Sequence, residues 1–190
     1  MKSKCGAPVS QIAAHTKEGI IVDKMKNETL IQKAKMKNSD AFTELMKSQM
    51  QSMYRTAKAI LMNDEDVADA IQDTLLICWE KLNELKVDRY FKTWMTKILI
   101  NNCYGIIRRN RKITYTDELP ERVSEENASN IEWREALSTI DEKYRIVLIL
   151  FYSEGFLTKE IAKILGITDS AVRTRLSRGR EQLMEYYNTL

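Results

Sequence analysis

Glycine and proline are scarce in this chain, and their scarcity limits the folds that it can adopt. Among 190 residues there are only 6 glycines and 2 prolines. Sandwiches, barrels and glycine-rich phosphate loops need many such residues at their turns. Apolar residues meanwhile recur at steps of three and four along most of the chain, as they do on the buried face of an amphipathic helix. We therefore predict an all-α protein with long helices and short connections.

The helical pattern begins at about residue 28. The sequence Asn-Ser-Asp at 38–40 is typical of a helix cap between the first two helices. The second helix is predicted to end near residues 62–64. A third is predicted over 66–82, with Val67, Ile71 and Leu75 on its apolar face, and a fourth over about 90–109.

The charge changes sign between two neighbouring segments. Residues 89–116 contain seven basic side chains and no acidic one, whereas residues 117–135 contain seven acidic side chains and two arginines. The acidic segment also lacks an apolar period, which is typical of a linker. We predict an acidic linker over 113–131 between helical domains at 28–112 and 132–190. Residues 1–27 show no sustained period and are predicted to be a mobile leader of unknown role.

The second domain is predicted to contain a helix-turn-helix. This motif needs a small residue where the helices cross, a glycine in the turn and an apolar anchor in the second helix. Ala162, Gly166 and Val172 meet these needs. A longer helix is predicted over 137–151, and Thr158 is expected to cap the first helix of the motif. The last helix carries several arginines and hydroxyls, which favour DNA binding, although a solvated basic helix is the alternative.

The basic segment of the first domain begins with aromatic residues. Phe91 and Trp94 precede Asn101 and a run of arginines. Aromatic rings beside cations suit unpaired bases, although the spacing alone favours a core position for both rings. The preceding helix has an acidic face that would repel DNA, so this face is either solvated or bound to a protein.

Histidine and cysteine are too few and too scattered for metal chemistry. The chain has one histidine, His15, and three distant cysteines, Cys5, Cys78 and Cys103. A structural zinc site needs about four closely spaced ligands. We expect no metal site, no cofactor and no catalytic residue, and we expect a reducing, cytoplasmic setting. Cys78 and Cys103 lie within apolar helical patterns and are predicted to be core residues.

Three segments together resemble the extracytoplasmic-function (ECF) group of the bacterial sigma-70 family. The sequence DVADAIQDTLLICW at 66–79 resembles sigma region 2.2, and FKTWMTKILINNCYGIIRRNRK at 91–112 is similar to the promoter-melting regions that follow it. Residues 137–187 resemble region 4. The resemblance covers about residues 30–187 and implies a region 2 helical bundle and a region 4 helix-turn-helix joined by a flexible acidic linker.

The resemblance also implies which residues bind each partner. Those that would bind RNA polymerase are Asp66, Asp69, Gln72, Asp73 and Trp79. Those that would bind the minus-ten element are Asn101, Tyr104, Arg108, Arg109, Arg111 and Lys112, with Asn101 capturing a flipped base. Those that would bind the minus-thirty-five element are Arg173, Thr174, Ser177 and Arg178.

The function that the resemblance implies is that of an alternative sigma factor for envelope stress. Such a protein is a monomer on its own and binds the clamp coiled coil of the largest polymerase subunit and the flap of the second largest. An anti-sigma factor, commonly membrane-anchored, holds it inactive. Two other classes of protein are alternatives: an ordinary helix-turn-helix regulator, which leaves the 66–79 helix without a role, and an enzyme, for which the chain lacks catalytic groups. A purely structural module would leave the arginine-rich helix unexplained.

Overall fold

The computed structural model of the chain describes residues 27–61, 63–113 and 136–188. The predicted leader and almost all of the predicted linker lie outside these residues. Every regular element in the described part is helical, as predicted. The chain divides into two compact units, Met1–Leu45 and Met46–Leu190. None of the helices in the described part has both the length and the hydrophobicity of a membrane span.

The first unit contains helix α1 (27–35) and the start of helix α2 (Ser39–Leu61). A turn separates the two helices, and Lys37 adopts a positive φ of 63° in it. The predicted cap is present at Asn38, whose Oδ1 accepts a hydrogen bond from the Ala41 amide at 2.9 Å. This bond satisfies one of the amides that a helix leaves unpaired at its start.

The second unit begins with the remainder of α2 and continues through α3 (Asp64–Lys81) and α4 (Phe91–Ile113). Helix α3 begins two residues before its predicted start because Asn63 caps it: Asn63 Oδ1 accepts a hydrogen bond from the Glu65 amide at 2.9 Å. Two short 3-10 turns, Leu82–Glu84 and Asp88–Tyr90, then lead the chain into α4.

A buried polar contact fixes α3 against α4. Thr74 is fully buried, while Leu75, which was predicted on the apolar face, is only half-buried. The Thr74 hydroxyl donates to the Ala70 carbonyl at 2.6 Å and accepts a hydrogen bond from Asn102 Nδ2 at 2.9 Å. Polar groups between packed helices are stable only when they are paired, so this bond favours a single register of the two helices.

The two cysteines of this pair of helices are core residues, as predicted. Cys78 on α3 and Cys103 on α4 are both fully buried and reduced. Burial raises the pKa of each thiol to about 12, because a thiolate loses its hydration in apolar surroundings.

The C-terminal part of the second unit, as far as it is described, begins with helical residues at 136–138 and continues with three longer helices. Helix α5 (Glu142–Leu148) continues as a π-helical turn over Ile149–Ser153, and it is followed by α6 (Thr158–Leu165) and α7 (Asp169–Asn188). The helix predicted over 137–151 is therefore interrupted near 139–141. At that point the Thr139 hydroxyl donates to the Ala136 carbonyl at 2.8 Å, which offers the backbone an alternative to a further helical turn.

Helices α6 and α7 form the predicted helix-turn-helix. Gly166 adopts a left-handed φ of 66° in the turn between them, a conformation that glycine adopts without steric cost. The prediction that Thr158 caps α6 is wrong. The cap residue is Leu157, and the Glu160 carboxylate accepts a hydrogen bond from its amide at 2.9 Å.

A close approach of α7 to α5 sets the position of the last helix. Gly179 on α7 faces Leu148, and a Cβ atom at Gly179 would lie 2.9 Å from Leu148 Cδ1. The buried face of α7 consists of this glycine together with Val172 and Leu176. The opposite face is therefore left free for other contacts.

The contact between α3 and α4 can be tested by removing the Asn102 amide. We expect Asn102→Ala to lower the free energy of unfolding by about 1 kcal/mol, because the buried Thr74 hydroxyl loses a partner. Urea unfolding followed by circular dichroism measures the change. The matched control is Asn101→Ala on the neighbouring residue, whose side chain is exposed. Equal stability of the two variants would contradict the structural role of Asn102.

Candidate nucleic-acid interface

A cavity of about 580 Å³ opens beside the second half of α4. Its lining consists of Asn101, Asn102, Gly105 and the three predicted arginines of α4, together with Asp73 of α3. The arginines, Arg108, Arg109 and Arg111, are all exposed. Amide groups can pair with the edge of a base, and guanidinium groups bind phosphates. The cavity thus has the chemistry to hold an extruded base and its backbone.

The two neighbouring asparagines of α4 have different roles. Asn102 donates its amide to Thr74 and is committed to the packing of α3 on α4. Asn101 is exposed at the cavity, and its side chain makes no hydrogen bond within the described residues. Asn101 therefore has an amide available for a ligand.

Tyr104, which was also predicted to bind the minus-ten element, does not line the cavity. It is half-buried, and its hydroxyl lies near the Glu142 carboxylate at the start of α5. Burial, and to a lesser degree the Glu142 carboxylate, raise the pKa of Tyr104 to about 12, whereas Arg175 on α7 acts to lower it. Charged groups of α5 and α7 therefore lie close enough to this tyrosine to act on its pKa. The side chain of Lys112 lies outside the described residues.

The residues predicted to bind polymerase lie on α3 but face two directions. Asp69 and Gln72 are exposed. Asp66 is half-buried and accepts a hydrogen bond from Asn110 Nδ2 of α4 at 3.0 Å. Asp73 lies in the wall of the α4 cavity, and Trp79 is half-buried. The outward surface of α3 is thus centred on Asp69 and Gln72.

Sequence reasoning missed an apolar residue on this surface. Leu76 is 57% exposed and follows Asp69 and Gln72 at steps of seven and four, so all three lie on one stripe of the helix. A large exposed apolar side chain within a polar stripe is typical of a contact surface. The sequence does contain a signal for it. Leu76 continues the spacing of the polar residues Asp69 and Gln72 and lies off the apolar face of α3.

The four residues predicted to bind the minus-thirty-five element lie together on the exposed face of α7. Arg173 pairs with Asp169, and the Thr174 hydroxyl donates to the Ser170 carbonyl at 3.1 Å. The next turn of the helix carries the other two, Ser177 and Arg178, and the Glu181 carboxylate accepts hydrogen bonds from their side chains at 3.3 and 3.2 Å. Exposed pairs of this kind contribute little to stability. The side chains can therefore exchange these partners for DNA.

Comparison with known families matches both parts of the second unit. Residues 45–113 match the model of Sigma-70 region 2, and residues 131–183 match the model of Sigma-70, region 4. The ECF RNA polymerase sigma factor SigW of Bacillus subtilis is 26% identical over 181 residues, which cover 84% of this chain and 96% of SigW.

Two solved structures have a similar fold. The structure of CnrH in complex with the cytosolic domain of CnrY has a TM-score of 0.67 and 24% identity, over 86% of this chain and 98% of CnrH. The sigma factor RpoE, in a co-crystal structure with the anti-sigma factor NepR from Bartonella quintana, has a TM-score of 0.69 and 25% identity. That match covers 77% of this chain and 96% of RpoE.

A cavity lined by amide and guanidinium groups and a helix-turn-helix with an exposed basic face occur in the same unit of the chain, which is typical of a DNA-binding protein. The family matches cover the helices that carry both features. The chain belongs to the ECF group of the sigma-70 family of RNA polymerase sigma factors, so it is a transcription initiation factor that binds core polymerase and not an enzyme. Below, region 2 means residues 45–113 and region 4 means residues 131–183.

The outward surface of α3 can be tested through Leu76. We predict that Leu76→Asp lowers the affinity for core RNA polymerase by about tenfold, because a charge replaces the exposed apolar side chain on the surface of α3 that is predicted to bind polymerase. Equilibrium titration with labelled protein measures this affinity. The matched control is Met36→Asp, at a methionine that is 81% exposed and lies outside both family matches. Unchanged affinity of Leu76→Asp would exclude Leu76 from the interface.

Proposed function

We propose that this sigma factor directs RNA polymerase to alternative promoters by reading two DNA elements, the minus-ten element with region 2 and the minus-thirty-five element with region 4. The observation that carries this proposal is the α4 cavity, where the exposed Asn101 amide and three arginines converge. A cavity of this kind on a protein that performs no chemistry suits a base held outside the duplex.

In region 2, the captured base stabilises the melted state of the promoter. Extruding a base costs a few kcal/mol, and hydrogen bonds from Asn101 to the base edge offset this cost. The arginines of α4 hold the phosphates on either side. Since Asn102 fixes α4 on α3, the neighbouring Asn101 is held on a rigid element and loses little freedom on binding.

In region 4, α7 enters the major groove with its exposed face. Arg173 and Arg178 supply guanidinium groups for guanine edges or phosphates, and the short hydroxyl side chains of Thr174 and Ser177 allow a close approach. The buried face of α7, with Gly179 against Leu148, keeps the helix firmly on α5 while its other face reads DNA.

Region 2 docks on the polymerase through α3. The outward surface formed by Asp69, Gln72 and Leu76 is proposed to contact the clamp coiled coil of the largest subunit, with Asp66, Asp73 and Trp79 supporting its edges. Region 4 is proposed to contact the flap of the second-largest subunit. An acidic surface cannot lie along DNA, so its exposure on α3 supports a protein partner.

The regulation of this protein is proposed to follow that of its relatives. CnrH and RpoE have each been solved with a second protein, CnrY and the anti-sigma factor NepR respectively. We propose that an anti-sigma factor, anchored in the membrane, holds this chain inactive as a cytoplasmic monomer until envelope stress releases it.

Base capture can be tested with Asn101→Ala. We predict that this variant binds core polymerase normally but reduces open-complex formation by about tenfold or more, because the flipped base loses its hydrogen bonds. Permanganate reactivity of the minus-ten thymines measures melting. The control is a promoter template whose minus-ten region is already mismatched, which lowers the free-energy cost of melting. On this template we expect Asn101→Ala to recover much of its activity in open-complex formation. Normal melting of the duplex promoter by Asn101→Ala would contradict the role of Asn101.

Upstream recognition can be tested with Arg178→Ala. We predict a loss of about 1–3 kcal/mol in binding to the minus-thirty-five element, because a base contact is removed. Binding by the polymerase holoenzyme to matched and scrambled elements measures it. The control variant is Arg180→Ala, which removes the same positive charge from α7. The Arg180 guanidinium donates to the Tyr152 hydroxyl at 2.8 Å. An equal loss on scrambled DNA would show that Arg178 contacts only phosphate.

A further inference from the structure

A carboxylate of region 4 is buried among cations of region 2. The side chain of Glu154 is only 1% exposed. Arg55 donates to its Oε1 from Nε at 2.9 Å and from Nη2 at 2.8 Å. The Ser52 hydroxyl donates to its Oε2, and Lys92 Nζ lies 3.2 Å from the same oxygen. Helices α2 and α4 of region 2 thus both contribute to holding one acid of region 4.

The backbone around Glu154 takes part in the same contact. Lys92 Nζ donates to the Glu154 carbonyl at 2.8 Å and lies 5.0 Å from the centre of the Phe156 ring. The π-helical turn ends immediately before Glu154, whose amide donates to the Ile149 carbonyl at 3.0 Å. Such turns are rare and occur often at functional sites, and here the turn directs Glu154 towards region 2.

A second contact joins the same two regions. Arg145 of α5 is only 7% exposed, and its Nε donates to the Ala59 carbonyl at 2.7 Å. That carbonyl belongs to the last turn of α2, where helical carbonyls lack partners and favour a cation. Arg145 Nη1 also donates to the Leu137 and Ile140 carbonyls, at 3.2 Å each.

These contacts hold region 4 against α4, the helix that carries the residues predicted to bind the minus-ten element. Helix α6 packs against α4, and Glu142 and Arg175 act on the half-buried Tyr104. Arg175 lies on the helix proposed to read the minus-thirty-five element. The two promoter elements are about 17 base pairs apart, which is about 58 Å at about 3.4 Å per base pair. Helix α7 therefore cannot occupy the upstream element while it lies near Tyr104.

We propose that Glu154 is a latch that closes region 4 on region 2 in the free protein and must release before the chain can engage a promoter. This inference rests on the proposed function, since it assumes that the two regions read separate elements. The latch can open for two reasons. The side chains of Arg55 and Lys92 are already 39% and 41% exposed. When the ion pairs separate, the hydration that the charges regain offsets the attraction that is lost. Polymerase, by binding the two regions apart, supplies the free energy for opening.

The latch can be tested on the full chain with Glu154→Lys, which places a third cation beside Arg55 and Lys92. We expect a larger radius of gyration in small-angle scattering, by several ångströms. We also expect the polymerase-free protein to bind a single-stranded minus-ten oligonucleotide about fivefold or more tightly. Glu185→Lys makes the same change of charge at an exposed residue of α7 and should alter neither quantity beyond a small electrostatic increase in binding.

A charge swap separates the latch from a general loss of folding. The triple variant Glu154→Lys, Arg55→Glu, Lys92→Glu restores opposite charges and should return the radius of gyration to the wild-type value. The double variant Arg55→Glu, Lys92→Glu should also separate the two regions, and it changes only residues that are already partly exposed. Circular dichroism checks that each variant keeps its helices. A radius unchanged in both Glu154→Lys and the double variant would overturn the latch.

The same samples distinguish failure of the latch from failure of the proposed function. An expanded wild-type chain that still supports promoter-specific run-off transcription with core polymerase would overturn the latch alone. A compact wild-type chain that supports no such transcription would contradict the proposed function, while the charge-swap scattering series would still test the contact between the two regions.

Discussion

The hydrogen bond between Asn102 and the buried Thr74 fixes α4 on α3, and the rest of the DNA-binding surface depends on this contact. One residue earlier on α4, Asn101 is turned outward into the cavity, and the arginines of the following turns line the same space. A slip of one residue between the helices would bury Asn101 and expose Asn102. The packing of two helices thus determines which of two identical side chains is available to a base.

Much of the helical architecture follows from the spacing of apolar residues, because this spacing reports directly on burial. Helices α2, α3 and α4 and the glycine turn at Gly166 were predicted correctly. The errors lie at helix ends and at single positions. Thr158 looks like a cap, but Glu160 satisfies the end of α6 instead. Leu75 fits the apolar face better than Thr74, yet Thr74 is the buried residue because Asn102 satisfies its hydroxyl.

The candidate sites were predicted less completely, for a different physical reason. The exposed face of α7 follows from helical periodicity together with the type of its side chains. The orientation of Asp66 and Asp73 depends on α4, which lies beyond the reach of a local pattern. The contact of Glu154 with Arg55 joins residues 99 positions apart, and nothing in the local sequence distinguishes this glutamate from a solvated one. Side-chain contacts between distant helices are visible only once the helices are packed.

The burial of Cys78 and Cys103 limits how this sigma factor can respond to oxidants. The nucleophile that attacks peroxide is the thiolate, and with a pKa of about 12 each of these thiols is almost entirely protonated at cellular pH. Neither can act as a fast redox sensor while α3 and α4 remain packed. If an oxidising signal controls this protein, it must act on other groups or be passed on by a regulatory partner.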